Sequence, residues 1–410
     1  MKFVVIGITD HPTPFFPPDV LEVINSGKVF SGGRRHHELV ASLLPEGAQW
    51  IDITVPLDAV FSQYRRLGEE SADGTVVVFA SGDPLFFGFA NTLKQKLQEA
   101  DVVVFPSFNS LQMLAHRLVM PYHDMRIVSL TGRPWHEFDR ALIERRTTDS
   151  LQKIGVLTDR VHTPAAIARR MLDYGYTYYN MFVGEHLGSP DHEKVTALTL
   201  EDAALRDFDV PNCLILVSDT PVQPRLFGIP DSGFALLNGR EKMITKMPIR
   251  LLTLQALELS RRQVFWDIGF CTGSVSIEAK TLFPHLQIEA FEIRPECEAI
   301  ISENSRRFGT PGIEVHIGDF LLADVGGLRR PDAVFIGGHG GHLKEIMAKV
   351  LTVLADDGIM VLNSVVAPKV TTDSRKLWDE ACQELGLRQE QPLHIQLDNN
   401  HPITMLKCRR

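Results

Sequence analysis

Only five cysteines occur in 410 residues, at positions 213, 271, 297, 382 and 408, and no two form a C-x-x-C pair. That spacing argues against a disulfide framework, a zinc ribbon and a thiolate-held iron–sulfur cluster. No run of about 18 apolar residues exists, so no membrane span is expected. The opening "MKFVVIGITDHPTP" has a short apolar run before Asp10, His11 and Pro12, which reads as a buried strand and not as a secretory signal. Basic charge is not in excess: 42 Lys and Arg stand against 51 Asp and Glu, a formal charge of −9. A general nucleic-acid or membrane binder is therefore not expected, although a local basic cleft is compatible with that balance. The cytoplasm is the expected compartment. What remains is a globular composition, 44% hydrophobic and 23% charged, in a chain long enough for two or three domains.

Residues 1–218 alternate strand-like and helix-like segments. "FVVIGI", "VVVFA" (76–80), "VVVFP" (102–106), "RIVSL", "KIGVL" and "CLILVS" read as strands, and "HHELVASLL" and "NTLKQKLQEA" as helices between them. Alternation of this kind predicts an α/β sheet covered by helices. Residues 219–239 are rich in Pro and Gly, lack periodicity, and read as a linker. A second α/β series follows over 240–410: "VFWDIGF", "QIEAFEI", "IEVHIGDF", "DAVFIGG", "GIMVLNSV", and a last pair around "LHIQL" and "TMLKC". No repeat relates the halves, so two different α/β folds are expected.

The turn in "WDIGFCTGSVSIEAK" (266–280) fails the dinucleotide fingerprint G-x-G-x-x-G, because Cys271 and Ser274 stand where glycines are required. That weakens a nicotinamide-dependent reading. In another register it reads acid-x-G-x-G-x-G, with Asp267, Gly269, Cys271 and Gly273, and resembles the adenosylmethionine loop of Rossmann-like methyltransferases. In this register Thr272 and Ser274 complete a loop of small residues passing under the methionine part of the ligand. Glu292 ends the next strand, placed to accept ribose hydroxyls. Asp319, followed by Phe320, ends the third and could reach the adenine. The fourth strand ends in "FIGGHGGH", without the N/D-P-P-Y/F motif of methylases acting on planar amino groups. Gly337, Gly338, His339, Gly340 and Gly341 are read as a loop facing the substrate. With no companion carboxylate there, His339 and His342 are not assigned to a metal, and none is expected.

In the N-terminal half, "FASGDPLFFGFA" (79–90) follows a strand and opens a helix. Gly82-Asp83-Pro84 with Gly88 resembles the G-D-P-x-x-x-G signature of the tetrapyrrole methylases. "FPSFNSLQ" (105–112) resembles that family's P-x-x-S-S-x-Q, with Asn109-Ser110 for the Ser pair. "SLTGRP", "TPAAIARRMLDYG" and "GEHLGSPDHEKV" complete its order, while the first loop "GITDHPTP" keeps only Gly7 of G-x-G-P-G-D. "FSGGRRHHELV" (30–40) narrows the likeness. With "MITKMPIRLLTLQALEL" before the second loop and "IGGHGGHL" after it, nearly the whole chain resembles the fused precorrin-6B 5,15-methyltransferases (decarboxylating) of cobalamin biosynthesis.

The resemblance implies a two-lobed tetrapyrrole-methylase fold over 1–218 and a Rossmann-like methyltransferase domain over 240–410. It implies two adenosylmethionine sites. One uses Gly82, Asp83, Pro84, Gly88 and Ser110. The other uses Asp267, Gly269, Cys271, Thr272, Gly273, Ser274, Glu292, Asp319 and Phe320, with Thr245 closing over the cofactor. It further implies methylation of a tetrapyrrole at carbons 5 and 15, with loss of the ring C acetate as carbon dioxide to give precorrin-8. The substrate carries many carboxylates, and Arg34 and Arg35 with His36 and His37, and Lys246 with Arg250, are candidates to pair with them. A homo-oligomer is expected, with no nucleic-acid or membrane partner. The alternatives are a generic small-molecule or RNA methylase with an inactive N-terminal lobe, and a non-catalytic pigment-channelling scaffold.

Overall fold

The computed structural model describes residues 1–70, 74–144, 151–221, 225, 227–365, 374–397 and 402–410. The chain divides into two compact units. One comprises Met1–Arg133, Ser150–Arg169 and Tyr178–Pro221, the other Pro134–Asp149, Arg170–Thr177 and Val222–Arg410. Among the described residues, no helix is long and apolar enough to cross a membrane.

The first unit holds two sheets. Strands β1 (Lys2–Ile8), β2 (Val29–Gly32), β3 (Gln49–Asp52), β4 (Thr75–Ser81) and β5 (Asp101–Phe105) form an all-parallel sheet in the order β3-β2-β4-β1-β5. Its central strands are apolar on both faces. Phe3, Val5, Val76 and Val78 pack one way with Phe61, while Val4, Ile6, Val77 and Phe79 pack the other way with Phe30. That two-sided burial is why these strands read as unbroken apolar runs. Strands β6 (Arg126–Ser129), β7 (Lys153–Leu157), β8 (Tyr179–Glu185), β9 (Lys194–Thr199) and β10 (Asn212–Ser218) make the second sheet, ordered β6-β7-β10-β8-β9. It is antiparallel except for the β6–β7 pair.

The second unit has one sheet built on β11 (Val264–Ile268), β12 (Gln287–Glu292), β13 (Ile313–Ile317), β14 (Ala333–Ile336), β15 (Ile359–Val365), β16 (Arg388–Gln389), β17 (Leu393–Ile395) and β18 (Ile403–Arg409). The order is β13-β12-β11-β14-β15-β18-β16, with β17 also paired to β18. The first five strands are parallel, and β18 is antiparallel to β15. The chain starts in the middle of the sheet, at β11, and grows outward both ways. The crevice beyond the carboxyl ends of the strands therefore lies where such sheets take ligands. Alternation divides the core: Trp266, Ile268, Val334 and Ile336 face one layer, and Phe265, Phe335 and Val361 the other.

The stretch expected as a linker behaves otherwise in its described part. Phe234 and Leu237 are buried against the second unit's helices. The Ala235 N–H donates to Asn304 Oδ1 (2.7 Å) and the Ile229 N–H to Glu278 Oε2 (2.9 Å). Its Pro and Gly content marks irregular backbone, not a free tether.

At the carboxyl end of β1, a Cβ on Gly7 would overlap the Gly82 carbonyl oxygen and lie 2.7 Å from the Ser107 nitrogen. Three backbone segments meet there with no room for a side chain. Gly7→Ala should destabilise the protein by roughly 1–3 kcal/mol through overpacking, read as a lower denaturant midpoint at unchanged slope.

Candidate functional site

The loop from β11 to the helix Ser274–Leu282 has a simple backbone rule. Gly269 (φ +80°), Cys271 (φ +51°) and Gly273 (φ +72°) are left-handed, and they alternate. The acid-x-G-x-G-x-G spacing is thus a demand on φ, which Cys271 meets under strain. The glycines are required by the protein itself. A Cβ on Gly269 would lie 2.7 Å from the Gly338 nitrogen, and one on Gly273 would overlap Ile301 Cγ1. This corrects the expectation that Gly273 makes room for a ligand: it does not line the cavity, and neither does Gly341. Gly269, Cys271, Thr272, Ser274, Gly337 and Gly338 do.

That cavity, of about 1040 Å³, opens at the carboxyl edge of the sheet. Three acids line it: Asp267 from β11, Glu292 from β12 and Asp319 after β13. Asp267 is fully buried. Its Oδ2 accepts from Ser276 Oγ (2.6 Å), and its Oδ1 has no partner among the described residues. Burial pushes its carboxyl up to about 7; the Ser276 hydrogen bonds oppose that shift and the Glu292 charge adds to it. Glu292 has the opposite setting. Burial opposes its charge, but Arg294 Nε (2.9 Å) and Nη2 (2.8 Å) and the Cys271 N–H (2.9 Å) hold it below the usual carboxylate range. Asp319 is exposed, and its Oδ1 accepts from the Leu321 N–H (2.9 Å). Thr272 Oγ1 is a second buried atom at the cavity without a partner among the described residues. Orphaned acceptors and three carboxylates around one space fit a ligand that carries positive charge and hydroxyl donors, as adenosylmethionine does.

Beyond the acids, Phe320, Thr245, Lys246, His339, Gly340 and His342 also line the cavity. His339 has both ring nitrogens engaged. The Gly341 N–H donates to Nδ1 (3.1 Å), so Nε2 carries the proton toward Ser374 Oγ (2.9 Å). Burial, with the neighbouring His342, lowers its pKa. Lys246 Nζ donates to the Glu241 carbonyl (3.1 Å) at the cavity mouth.

Arg250 is corrected outright. It is completely buried and pairs with Asp231 Oδ1 (3.0 Å) and Glu278 Oε2 (3.2 Å), and it donates to the Thr245 and Ile229 carbonyls. It anchors residues 229–245 against the helices and has no donor directed at a substrate. Sequence reading also missed Arg294 and Asn363. Arg294 stands two residues after Glu292, and Asn363 is a lone amide in an apolar strand; these are the signals that could have found them.

In the first unit, the predicted residues gather at the carboxyl edge of the parallel sheet. Gly82 (φ +60°) donates its N–H to the Ile8 carbonyl (2.7 Å), and Asp83 Oδ1 accepts from the Leu85 N–H (2.9 Å), making a tight turn. A Cβ on Gly88 would lie 2.6 Å from the Pro84 carbonyl oxygen. Asn109 caps the helix Ser110–Arg117 reciprocally with Gln112. His36 Nε2 meets Ser81 Oγ (2.9 Å), and burial, with Arg35 adding to it, lowers its pKa to about 4. Arg35 pairs with Asp10 of the altered first loop. His37 stacks on Trp50 at 4.1 Å, while Arg34 is 92% exposed and pairs with Glu38.

The loop geometry sets one test. Cys271→Gly should be neutral or stabilise by up to about 1 kcal/mol, since it relieves left-handed strain. Gly273→Val should cost roughly 2–5 kcal/mol from φ and the Ile301 overlap. Denaturant titration of the two variants measures both.

Comparison with known proteins follows the same division. Residues 16–204 match the family model "Tetrapyrrole (Corrin/Porphyrin) Methylases", and residues 238–405 match "Precorrin methyltransferase domain". A Precorrin-6Y C(5,15)-methyltransferase (decarboxylating) of Sinorhizobium sp. is 31% identical over 387 residues, 93% of this chain and 88% of that protein. Two separate proteins of Salmonella typhimurium (strain LT2) match the halves. Its Cobalt-precorrin-6B C(15)-methyltransferase (decarboxylating) is 32% identical over 42% of this chain and 93% of its own length. Its Cobalt-precorrin-7 C(5)-methyltransferase is 25% identical over 52% of this chain and 97% of its own length. With one relative matched almost end to end through both units, the chain belongs to the family of decarboxylating precorrin-6Y C(5,15)-methyltransferases.

Proposed function

We propose that this chain is a bifunctional adenosylmethionine-dependent C-methyltransferase of cobalamin biosynthesis. Its substrate is a precorrin-6-type tetrapyrrole, methylated at carbon 5 by the first unit and at carbon 15 by the second. The second unit also removes the ring C acetate carboxylate as carbon dioxide. The observation that carries this reading is the match to a single decarboxylating C(5,15)-methyltransferase through both units. Two cofactor sites are inferred from two unrelated loops at sheet edges, Gly82–Gly88 and Asp267–Ser274.

Adenosylmethionine supplies, when bound, a methyl group activated by the adjacent sulfonium. Asp267, Glu292 and Asp319 would hold it in the second unit. Glu292 is kept ionised by Arg294, and Asp267 is left with a free acceptor. In the first unit the turn Gly82-Asp83-Pro84 and Ser110 would hold it. The chemistry needs no strong base at either place. The meso carbon of an electron-rich macrocycle is already nucleophilic, so holding the reactants in line supplies several kcal/mol. Addition of the methyl group at carbon 15 leaves a cationic imine conjugated to the acetate-bearing carbon. The electron pair of the breaking carbon–carboxylate bond neutralises that imine as carbon dioxide departs. The apolar wall of Ile249, Phe335, Val365 and Ile403 assists by keeping water from the carboxylate.

The whole reading is tested by incubating the protein with precorrin-6B and adenosylmethionine. The expected product has gained two methyl groups and lost one carboxyl group; an unchanged macrocycle would contradict it. Asp83→Ala separates the halves. It should leave carbon 15 methylation and carbon dioxide release near the wild-type rate while impairing carbon 5 methylation, because Asp83 belongs to the first unit's turn alone. Mass spectrometry should find a singly methylated, decarboxylated product. Loss of both methylations in a folded variant would overturn the assignment of one reaction to each unit.

A further inference from the structure

The C-terminal cavity presents an acceptor that the cofactor acids do not explain. Asn363 lines the cavity from β15, and its Oδ1 is buried with no hydrogen-bond partner among the described residues. Its orientation is fixed from behind. Thr253 Oγ1, on the helix Met247–Ala256, donates its one proton to the Ile249 carbonyl (2.8 Å). Thr253 can therefore only accept from Asn363, and it takes the Nδ2 group at 2.9 Å. With the amide NH₂ held there, Oδ1 is the uncommitted atom of a side chain that lines the cavity.

The position of Asn363 separates it from the cofactor side. The acids stand on β11, on β12 and beyond β13, whereas Asn363 stands on β15, with β14 between β11 and β15. Two strand spacings place it about 10 Å across the sheet from β11. Around it the wall is apolar: Val365 on β15, Ile395 on β17 and Ile403 on β18. A fixed acceptor in an apolar wall repels carboxylates and draws a donor. On a carboxylate-rich tetrapyrrole the donors are the ring N–H groups.

We infer that Asn363 is a specificity-determining residue of the C-terminal cavity, accepting a hydrogen bond from a ring N–H of a metal-free tetrapyrrole. The inference rests on the function proposed above and adds the group that reads the macrocycle. A ring nitrogen chelated to a metal carries no proton to donate, so the contact favours the metal-free form over its cobalt chelate.

The test uses the full-length protein with Asn363→Leu, which keeps the volume and removes the acceptor. Thr253→Val is the second variant; it leaves Asn363 in place and removes the group that orients it. Adenosylmethionine affinity by calorimetry should stay within about twofold of wild type for both. KM for metal-free precorrin-6B in carbon 15 methylation should rise roughly 5- to 50-fold in Asn363→Leu and less in Thr253→Val. With the cobalt chelate, wild type and Asn363→Leu should have equal KM. An active wild type whose metal-free KM is unchanged in Asn363→Leu overturns the inference alone. So does an equal loss with both substrates, or loss of adenosylmethionine binding in Asn363→Leu. A wild type that binds adenosylmethionine but methylates neither macrocycle overturns the functional reading, and this inference with it.

Discussion

The second unit is organised around the close backbone approach of two loops at the carboxyl edge of its sheet. Gly337 donates its N–H to the Ile268 carbonyl (2.7 Å), and Gly269 has no space for a side chain against Gly338. Left-handed residues at 269, 271 and 273 return the chain from β11 into the next helix. The Cys271 N–H is thereby aimed at Glu292. Once that turn is set, Asp267 lies under it and Glu292 beside it. The cavity is the space the two loops leave between them and the end of the sheet.

Within that cavity, similar side chains are given opposite roles by their surroundings. Asp267 is buried with a single side-chain donor, and its carboxyl titrates near neutrality. Glu292 lies nearby with two guanidinium contacts and a backbone N–H, which favour its ionised form and hold its pKa below the usual carboxylate range. Glu292 is therefore a standing negative charge, whereas Asp267 is only partly charged near neutral pH until a cation or a donor stabilises its carboxylate. Asn363, across β14, is an uncharged acceptor on an apolar wall. The cavity thus grades from charged at the β11–β13 end to apolar at β15 and β18.

How much of this was legible in the sequence follows from how local each signal is. The central strands were readable because burial on both faces makes "FVVIGI" and "VVVFA" unbroken apolar runs. Strands β2 and β3, each four residues long, carry too few residues to show a period. β8 is not an unbroken apolar run, since Asn180 is exposed between buried Tyr179 and Met181. Asp267, Glu292 and Asp319 could be found because each sits where a strand ends. Arg250 was misread because a basic residue on a helix looks solvated. Its partners Asp231 and Glu278 are 19 and 28 residues away in sequence and meet it only in the fold. Asn363 escaped for the same reason, since its meaning depends on Thr253, 110 residues earlier.

The central claim is that the three-carboxylate cavity is a cofactor site in which Asp267 is ionised by the ligand it receives. A carboxyl raised to about 7 in the free protein must release part of a proton when a cationic ligand binds near that pH. The sign is fixed: binding draws Asp267 to its charged form, so affinity increases as pH rises toward 7 and levels off above it. The measurement is calorimetric titration of adenosylmethionine into wild type and Asp267→Asn near pH 6.5, in two buffers of different ionisation heat. The account predicts proton release in wild type that is absent from Asp267→Asn. Binding at both sites of the wild type with no difference in proton release between the two proteins would contradict it.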